Sequence, residues 1–144
     1  MIGVQFNDAD FEMFKEECRW WLARFGMSDW DVDYFNQLPN NAGDSMACTS
    51  CSCASMRAMI YFNKETDSVD VLTMSKEELI KMCAQHEVIE LLLSTFEYLA
   101  KQRAWDEDAW QQENHRVIHR IRHALREGAR DVLREAIKVK QQEE

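Results

Sequence analysis

The stretch KMCAQHEVIELLL, residues 81–93, decides how the chain is interpreted, because ionisable side chains interrupt an apolar helical pattern. At 100° per residue, His86 and Glu90 fall on one face of the helix, and their apolar neighbours predict that both side chains point inward. Side chains at i and i+4 lie about one turn apart, a spacing at which they can hold one metal ion. Glu87, rotated by about 100°, would lie beside that ion and could take a proton from water.

The segments before this stretch predict one helix and three strands. Asn7 or Asp8 can cap the first helix, and Gly26 is a typical C-terminal stop. In DWDVDYF, Asp29 to Phe35, apolar and acidic residues alternate with the period of a half-buried strand. The turn LPNNAGD then separates this strand from two more. The expected elements are a helix over 8–25 and strands over 29–35, 45–53 and 56–63.

The segments around and after the stretch predict helices. Ser75 and Glu78 form a capping box that begins the helix carrying His86. A third helix is expected from about Asp106, with Gly128 marking its end or a kink. Residues 129–144 then read as a charged, helical C-terminal tail. Together the elements predict an α+β domain, with a small three-stranded sheet packed on the helices.

Length and composition predict one folded domain. The 144 residues are 46% hydrophobic, far from the composition of disordered chains. The formal charge of -9 disfavours nucleic acid as a partner, because a phosphate backbone is bound through cationic groups. No stretch resembles a secretory leader or a membrane span, and five cysteines, an odd number, disfavour a disulfide framework. We therefore expect a cytoplasmic protein that binds neither nucleic acid nor a membrane.

The spacing of His86, Glu87 and Glu90 is HExxE, one exchange away from the HExxH of zinc proteases. A catalytic zinc ion commonly takes three protein ligands, so a third ligand is needed. The third helix supplies candidates, and the helical wheel prefers neither His115 nor Glu113. A hairpin turn near residue 105 would leave His86 and His115 about 13 Å out of step. Their convergence therefore requires that the second helix end early or that the helices cross steeply.

HEVIELLL followed by NHRVIHRI resembles the small phage-encoded metallopeptidases of the zincin type, over about residues 8–126. The resemblance implies that zinc is bound by His86, Glu90 and His115, and that Glu87 is the catalytic base. It implies metal-assisted hydrolysis of a peptide or protein substrate in the host cell cytoplasm. It also implies a zincin-like domain over residues 1–128, and substrate added as a strand to AMIYFNK, residues 58–64.

Two other functions stay open. The fold could serve a non-catalytic interaction protein whose acidic surface binds a host or phage protein, and homodimerisation is open. Alternatively, CTSCSC could supply Cys48, Cys51 and Cys53 to a metal. On a strand Cys48 faces away from the other two, so we expect these thiols to be reduced and metal-free. The third helix is expected to have a solvated face, lined with Arg116, Arg120 and Arg122, that accommodates His119 and His123.

Overall fold

The order of helices and strands confirms the α+β class and adds two short strands. The structure, a computed structural model, describes residues 4–66, 74–101 and 106–142. Nothing in those ranges forms a helix both long and apolar enough to cross a bilayer. The turn expected near residue 105 and the last two residues of the tail lie outside these ranges. In chain order the elements are β1 (Val4–Gln5), α1 (Asp8–Arg24), β2 (Asp31–Phe35), β3 (Ala47–Ser52), β4 (Arg57–Phe62), β5 (Glu65–Thr66), α2 (Lys76–Lys101) and α3 (Glu107–Gln142).

The three predicted strands form one mixed sheet in the order β2-β4-β3. Strand β4 pairs with β2 in parallel, Tyr34 opposite Ile60, and with β3 in antiparallel fashion, Thr49 opposite Ile60. Because both edges of β4 are hydrogen-bonded, the expectation that substrate adds to this strand is wrong. The edge strand beside α2 is β3, with Thr49 in contact with α2. Strands β1 and β5 form a separate antiparallel pair.

Helix α1 begins and ends where the sequence predicts. Asn7 accepts a hydrogen bond from the Asp10 backbone N–H at 3.0 Å, and the Asp10 carboxylate accepts one from the Asn7 N–H at 2.8 Å. Gly26 follows the helix with a φ of 63°, a left-handed conformation that favours glycine. The His123 ring Nδ1 donates to the Arg24 carbonyl oxygen at 2.7 Å. His123 therefore caps α1 and lies apart from the His86 motif.

The core forms where α1 and α2 pack against one face of the sheet. Phe14 of α1 is fully buried and stacks on Phe62 of β4, with ring centroids 4.6 Å apart. Cys18 of α1 approaches α2, its thiol 3.9 Å from the Ala84 carbonyl oxygen. The opposite face of the sheet is open to solvent. This one-sided burial agrees with the alternation along β4, where the buried residues are Ala58, Ile60 and Phe62.

Helix α3 is held to the loop after α1 by a buried arginine. The Arg120 guanidinium donates to both Asp29 carboxylate oxygens, at 2.9 and 2.7 Å, and to the Gly26 carbonyl oxygen at 2.8 Å. Arg120 is buried, so its predicted place on a solvated face is wrong. A buried arginine is tolerated here because three acceptors satisfy its donors.

Gly128 does not end α3, which continues without interruption to Gln142. A glycine inside a helix costs only about 1 kcal/mol relative to alanine, so packing can override it. The Arg24 side chain crosses α3 at this point, its Nη2 3.3 Å from where a Cβ on Gly128 would be. Arg24 also forms an ion pair with Asp131. The glycine therefore makes room for a contact between α1 and α3.

Replacing Arg120 with methionine is expected to destabilise the protein by about 2–3 kcal/mol, because Asp29 and the Gly26 carbonyl lose their donor. Burial of Asp29 opposes its ionisation, but the hydrogen bonds and charge of Arg120 outweigh this and lower its pKa. A lowered folded-state pKa gives stability that is complete above about pH 4 and is lost as the pH falls through that pKa.

Chemical denaturation at pH 7 and in acid measures both effects. Arg122→Met is the matched control, since Arg122 is exposed, and it should change stability by no more than about 0.5 kcal/mol. Equal losses in the two variants, or a difference that acid does not reduce, would contradict the role given to Arg120.

Candidate metal centre

Helix α2 carries the HExxE motif and begins at the predicted capping box. The Ser75 backbone N–H donates to the Glu78 carboxylate at 2.9 Å, and the Glu78 N–H donates to the Ser75 hydroxyl at 3.2 Å. The helix then runs 26 residues, to Lys101. It does not end early, so one of the two ways in which His86 and His115 could converge is absent.

His86, Glu87 and Glu90 come together on α2. Each offers one ligand atom, and these atoms all lie within 4.8 Å of one another. His86 Nε2 is 3.1 Å from Glu90 Oε1, as helical i and i+4 spacing predicts. We refer to these three residues as the HEE cluster. Imidazole nitrogen and carboxylate oxygen are both donor types that zinc accepts.

Glu87 is the buried member of the cluster, with only 4% of its surface exposed. The Thr49 hydroxyl, on β3, donates to Glu87 Oε2 at 2.7 Å. Burial raises the pKa of Glu87, and the Glu90 carboxylate raises it further, while the hydrogen bond from Thr49 opposes the rise. A buried carboxyl with a raised pKa, held by one hydroxyl, has the properties of a general acid or base.

His86 and Glu90 are exposed, with 67% and 53% of their side chains accessible, so the prediction that they face inward is wrong. The residue directed at the sheet is Glu87, which lies about 100° around the helix from His86. Apolar residues occur on several faces of α2, and Leu93 is itself exposed. The helical wheel therefore could not identify which face β3 covers.

Helix α3 contacts α2 on the side opposite His86. The Thr95 hydroxyl donates to the Glu113 carboxylate, which also accepts from Arg116 Nη2 at 2.7 Å. Thr95 is nine residues after His86, so helical rotation places these two side chains about 180° apart. The contact between Thr95 and Glu113 sets these two residues at the same level of the two helices. Counted from that level at about 1.5 Å per residue, the exposed His115 lies about 10 Å along the helix axis from His86.

The described contacts therefore bring together three of the four predicted site residues. His115 is not a member of the HEE cluster, and no other group of this kind occurs in residues 4–66, 74–101 and 106–142. The alternative ligand, Glu113, is engaged by Thr95 and Arg116. His115 as a zinc ligand stays a prediction. The sequence did indicate this difficulty, because a straight hairpin would leave His86 and His115 about 13 Å out of step.

Thr49 is the functional candidate that sequence reasoning missed. It lies between two cysteines in CTSCSC, and no local pattern separates its hydroxyl from that of an ordinary strand threonine. Thr49 reaches Glu87 only because β3 pairs with β4 at the edge of the sheet that lies against α2.

Comparisons of the chain with protein-family models, with curated proteins and with solved structures give no significant match.

The cysteines of CTSCSC are divided as strand alternation predicts. Cys51 and Cys53 line a cavity of about 350 Å³, where the Cys53 thiol is 3.6 Å from the Ser94 hydroxyl. Cys48 is not part of that cavity lining. Burial raises the pKa of Cys48, and the carboxylates of the HEE cluster raise it further. None of the five cysteines forms a disulfide.

Thiol titration in denaturant is expected to count five free thiols, and the native protein should react at fewer. Cys18 should react last in the native state, because it is fully buried and burial raises its pKa. The control is Cys18→Ser. This variant should show one thiol fewer than wild type in denaturant, and the same number of fast-reacting thiols in the native state. A denatured count below five would show that a disulfide or a tightly held metal occupies the cysteines.

Proposed function

We propose that His86 and Glu90 of the HEE cluster bind zinc, that Glu87 is the catalytic base beside it, and that the protein is a zincin-like metallopeptidase. The observation that carries this proposal is the convergence of three ligand atoms within 4.8 Å, with the middle carboxylate buried and hydrogen-bonded to the neighbouring strand. In the proposed arrangement His86 and Glu90 hold the ion and Glu87 handles the proton. This division follows the motif, in which Glu87 is rotated away from the other two.

The donor chemistry fits the proposed ion. Zinc accepts imidazole nitrogen and carboxylate oxygen, and a catalytic site keeps a position open to water or substrate. When bound, zinc would polarise a carbonyl group and make water more acidic. The exposure of His86 and Glu90 leaves that side of the cluster open to solvent.

Glu87 is suited to carry a proton between water and a leaving amine. Thr49 binds its Oε2, so Oε1 remains to accept a proton. The raised pKa brings the carboxyl nearer to the pH at which it can both take and release that proton. Thr49 holds the carboxylate in one orientation, which is a requirement for efficient transfer.

Strand β3 is suited to bind an extended peptide next to the cluster. It is an edge strand of the three-stranded sheet, and Thr49 at its middle contacts Glu87. A peptide that adds to an exposed edge forms backbone hydrogen bonds that do not depend on its sequence. The proposal therefore assigns the substrate strand to β3, in place of the 58–64 segment that the family resemblance implied.

Zinc titration of the metal-free protein against a chromophoric chelator tests the proposal. We expect one zinc per chain, bound at least about 100-fold more weakly by His86→Ala and Glu90→Gln, a larger loss than a residue that only supports a ligand gives. Glu97→Gln is the matched control, since Glu97 is also exposed on α2 but pairs with Lys101. Unchanged affinity in all three variants would contradict the site.

His115→Ala decides the third ligand in the same titration. If His115 completes the site, as the family resemblance implies, this variant loses zinc as His86→Ala does. The position of α3 favours retention of zinc, with water filling the remaining positions. Neither outcome tests the roles of His86 and Glu90, which are tested by His86→Ala and Glu90→Gln.

The second candidate is a non-catalytic interaction protein of the same fold, acting on a host or phage protein in the cytoplasm. It is favoured by large apolar side chains left exposed on α3, of which Leu125 and Val132 are the most accessible. Wild-type protein that binds zinc but cleaves no unfolded protein or peptide substrate would favour this candidate over the metallopeptidase.

A further inference from the structure

Helix α3 exposes a continuous apolar face that the metal centre does not use. Ile118, Ile121, Leu125 and Val132 are 44%, 42%, 69% and 73% exposed. Their spacings of three, four and seven residues place them within about 60° of one another and over about 21 Å of helix. Heptad spacing of aliphatic residues is typical of a helix that packs along another helix. We call these four residues the α3 apolar face.

This face is distinct from the one that holds α3 to the domain. Val117 and Arg120 are buried against the domain, and they lie about 80° and 140° around the helix from Leu125. Gly128, which contacts Arg24 of α1, marks the boundary between the two faces. The domain therefore covers one side of α3 and leaves the apolar face beside it exposed, although burying it would be favourable.

Unpaired positive charge borders the apolar face on its outer side. Arg122 and Arg126 are exposed, about 60° and 100° from Leu125, on the side away from Val117. Neither forms an ion pair within the part of the chain that the structure describes. Residues 107–142 contain eight Lys and Arg against six Asp and Glu, although the whole chain has 17 against 26. The apolar face is thus locally cationic on an acidic protein.

The charge pattern favours a different protein over a second copy. In a two-fold antiparallel pair of α3 helices, the same flank of each helix meets its symmetry mate. Arg122 and Arg126 would then approach their own copies, which is unfavourable. Asp131, an acidic residue of the same helix, is already paired with Arg24. The acidic remainder of the chain also opposes approach to an anionic membrane.

We propose that the α3 apolar face is a docking site for an amphipathic helix whose flanking positions are acidic. Aliphatic residues of the partner would cover Ile118, Ile121, Leu125 and Val132, and its carboxylates would pair with Arg122 and Arg126. This function is independent of metal binding and of hydrolysis. The charge beside the α3 apolar face is positive, whereas the overall composition suggests an acidic interaction surface.

Two synthetic peptides test the proposal. Each has 21 residues and leucine at the first and fourth positions of three heptads, with glutamate flanking the leucines in one and lysine in the other. Fluorescence anisotropy measures the binding of each peptide to the whole chain. The salt concentration is about 0.1 M, at which charges within about 10 Å of one another still interact. We expect the glutamate peptide to bind at least tenfold more tightly than the lysine peptide.

Variants of the chain identify the site. Leu125→Asp should weaken binding of the glutamate peptide at least tenfold, and Arg122→Glu with Arg126→Glu should reverse the preference. The matched control is Arg130→Glu, because Arg130 lies about 140° from Leu125 and pairs with Glu127; it should keep the preference for glutamate. Circular dichroism verifies that each variant keeps its helix content.

Four outcomes would overturn the proposal. Equal affinity for the two peptides removes the charge argument, and absence of binding removes the docking site. A dimer in light scattering that Leu125→Asp converts to monomer assigns the face to a second copy. Binding to phosphatidylglycerol vesicles that is tighter than peptide binding and is lost in Leu125→Asp assigns it to a membrane surface.

Discussion

Replacing Glu87 with glutamine is expected to lower peptide hydrolysis by at least about 10²–10⁴-fold, while zinc content and thermal stability stay close to wild type. Glutamine has nearly the same shape, and its amide oxygen can still accept the hydrogen bond from Thr49. It cannot accept the proton that the proposed reaction transfers. Stability should be kept, because a neutral amide avoids the burial cost that raises the pKa of Glu87.

Peptidase activity on unfolded protein, zinc content and melting temperature should be measured side by side for wild type, Glu87→Gln and His86→Ala. His86→Ala should lose both zinc and activity. If Glu87→Gln also loses zinc, Glu87 is a ligand and the division of roles within the HEE cluster is wrong. Full activity in Glu87→Gln would exclude it as the base.

Replacing Phe14 with alanine is expected to destabilise the protein by about 3–5 kcal/mol, a large part of the about 5–15 kcal/mol that typically stabilises a folded chain. Phe14 is fully buried and stacks on Phe62 at 4.6 Å, so it joins α1 to the central strand of the sheet. Its removal leaves a cavity that neighbouring rings can fill only in part. Urea denaturation measures the loss.

Phe35→Ala is the control for Phe14→Ala. Phe35 also stacks on an aromatic ring, Tyr61 at 5.1 Å, but it lies on the open face of the sheet and is 42% exposed. Its loss should cost no more than about 1 kcal/mol. Similar losses in the two variants would contradict the assignment of the core to the α1-facing side of the sheet.

Local signals predicted the elements near the site well. The Ser75 and Glu78 capping box and the Asn7 cap are present because their hydrogen bonds join residues only three apart. Strand β2 follows its alternation for the same reason, since period-two burial is a local property. Strands β1 and β5 escaped prediction because two residues are too few to show any period.

Properties that depend on distant partners could not be predicted from the sequence. Arg120 is buried because Asp29 and Gly26, some 90 residues earlier, supply acceptors. Gly128 remains helical because Arg24 packs over it. The same limit applies to the candidate site: i and i+4 spacing brought His86 and Glu90 together, but the strand that covers Glu87 depends on the sheet order.

Metal analysis of protein purified without chelator or histidine tag, combined with zinc-edge X-ray absorption, tests most directly whether the HEE cluster is a zinc site. We expect one zinc per chain, with nitrogen and oxygen ligands at about 2.0–2.2 Å, and its loss in His86→Ala. Protein that cannot be loaded with zinc, or zinc that His86→Ala retains, would contradict the site. Sulfur ligands at about 2.3 Å would assign the metal to the cysteines of CTSCSC.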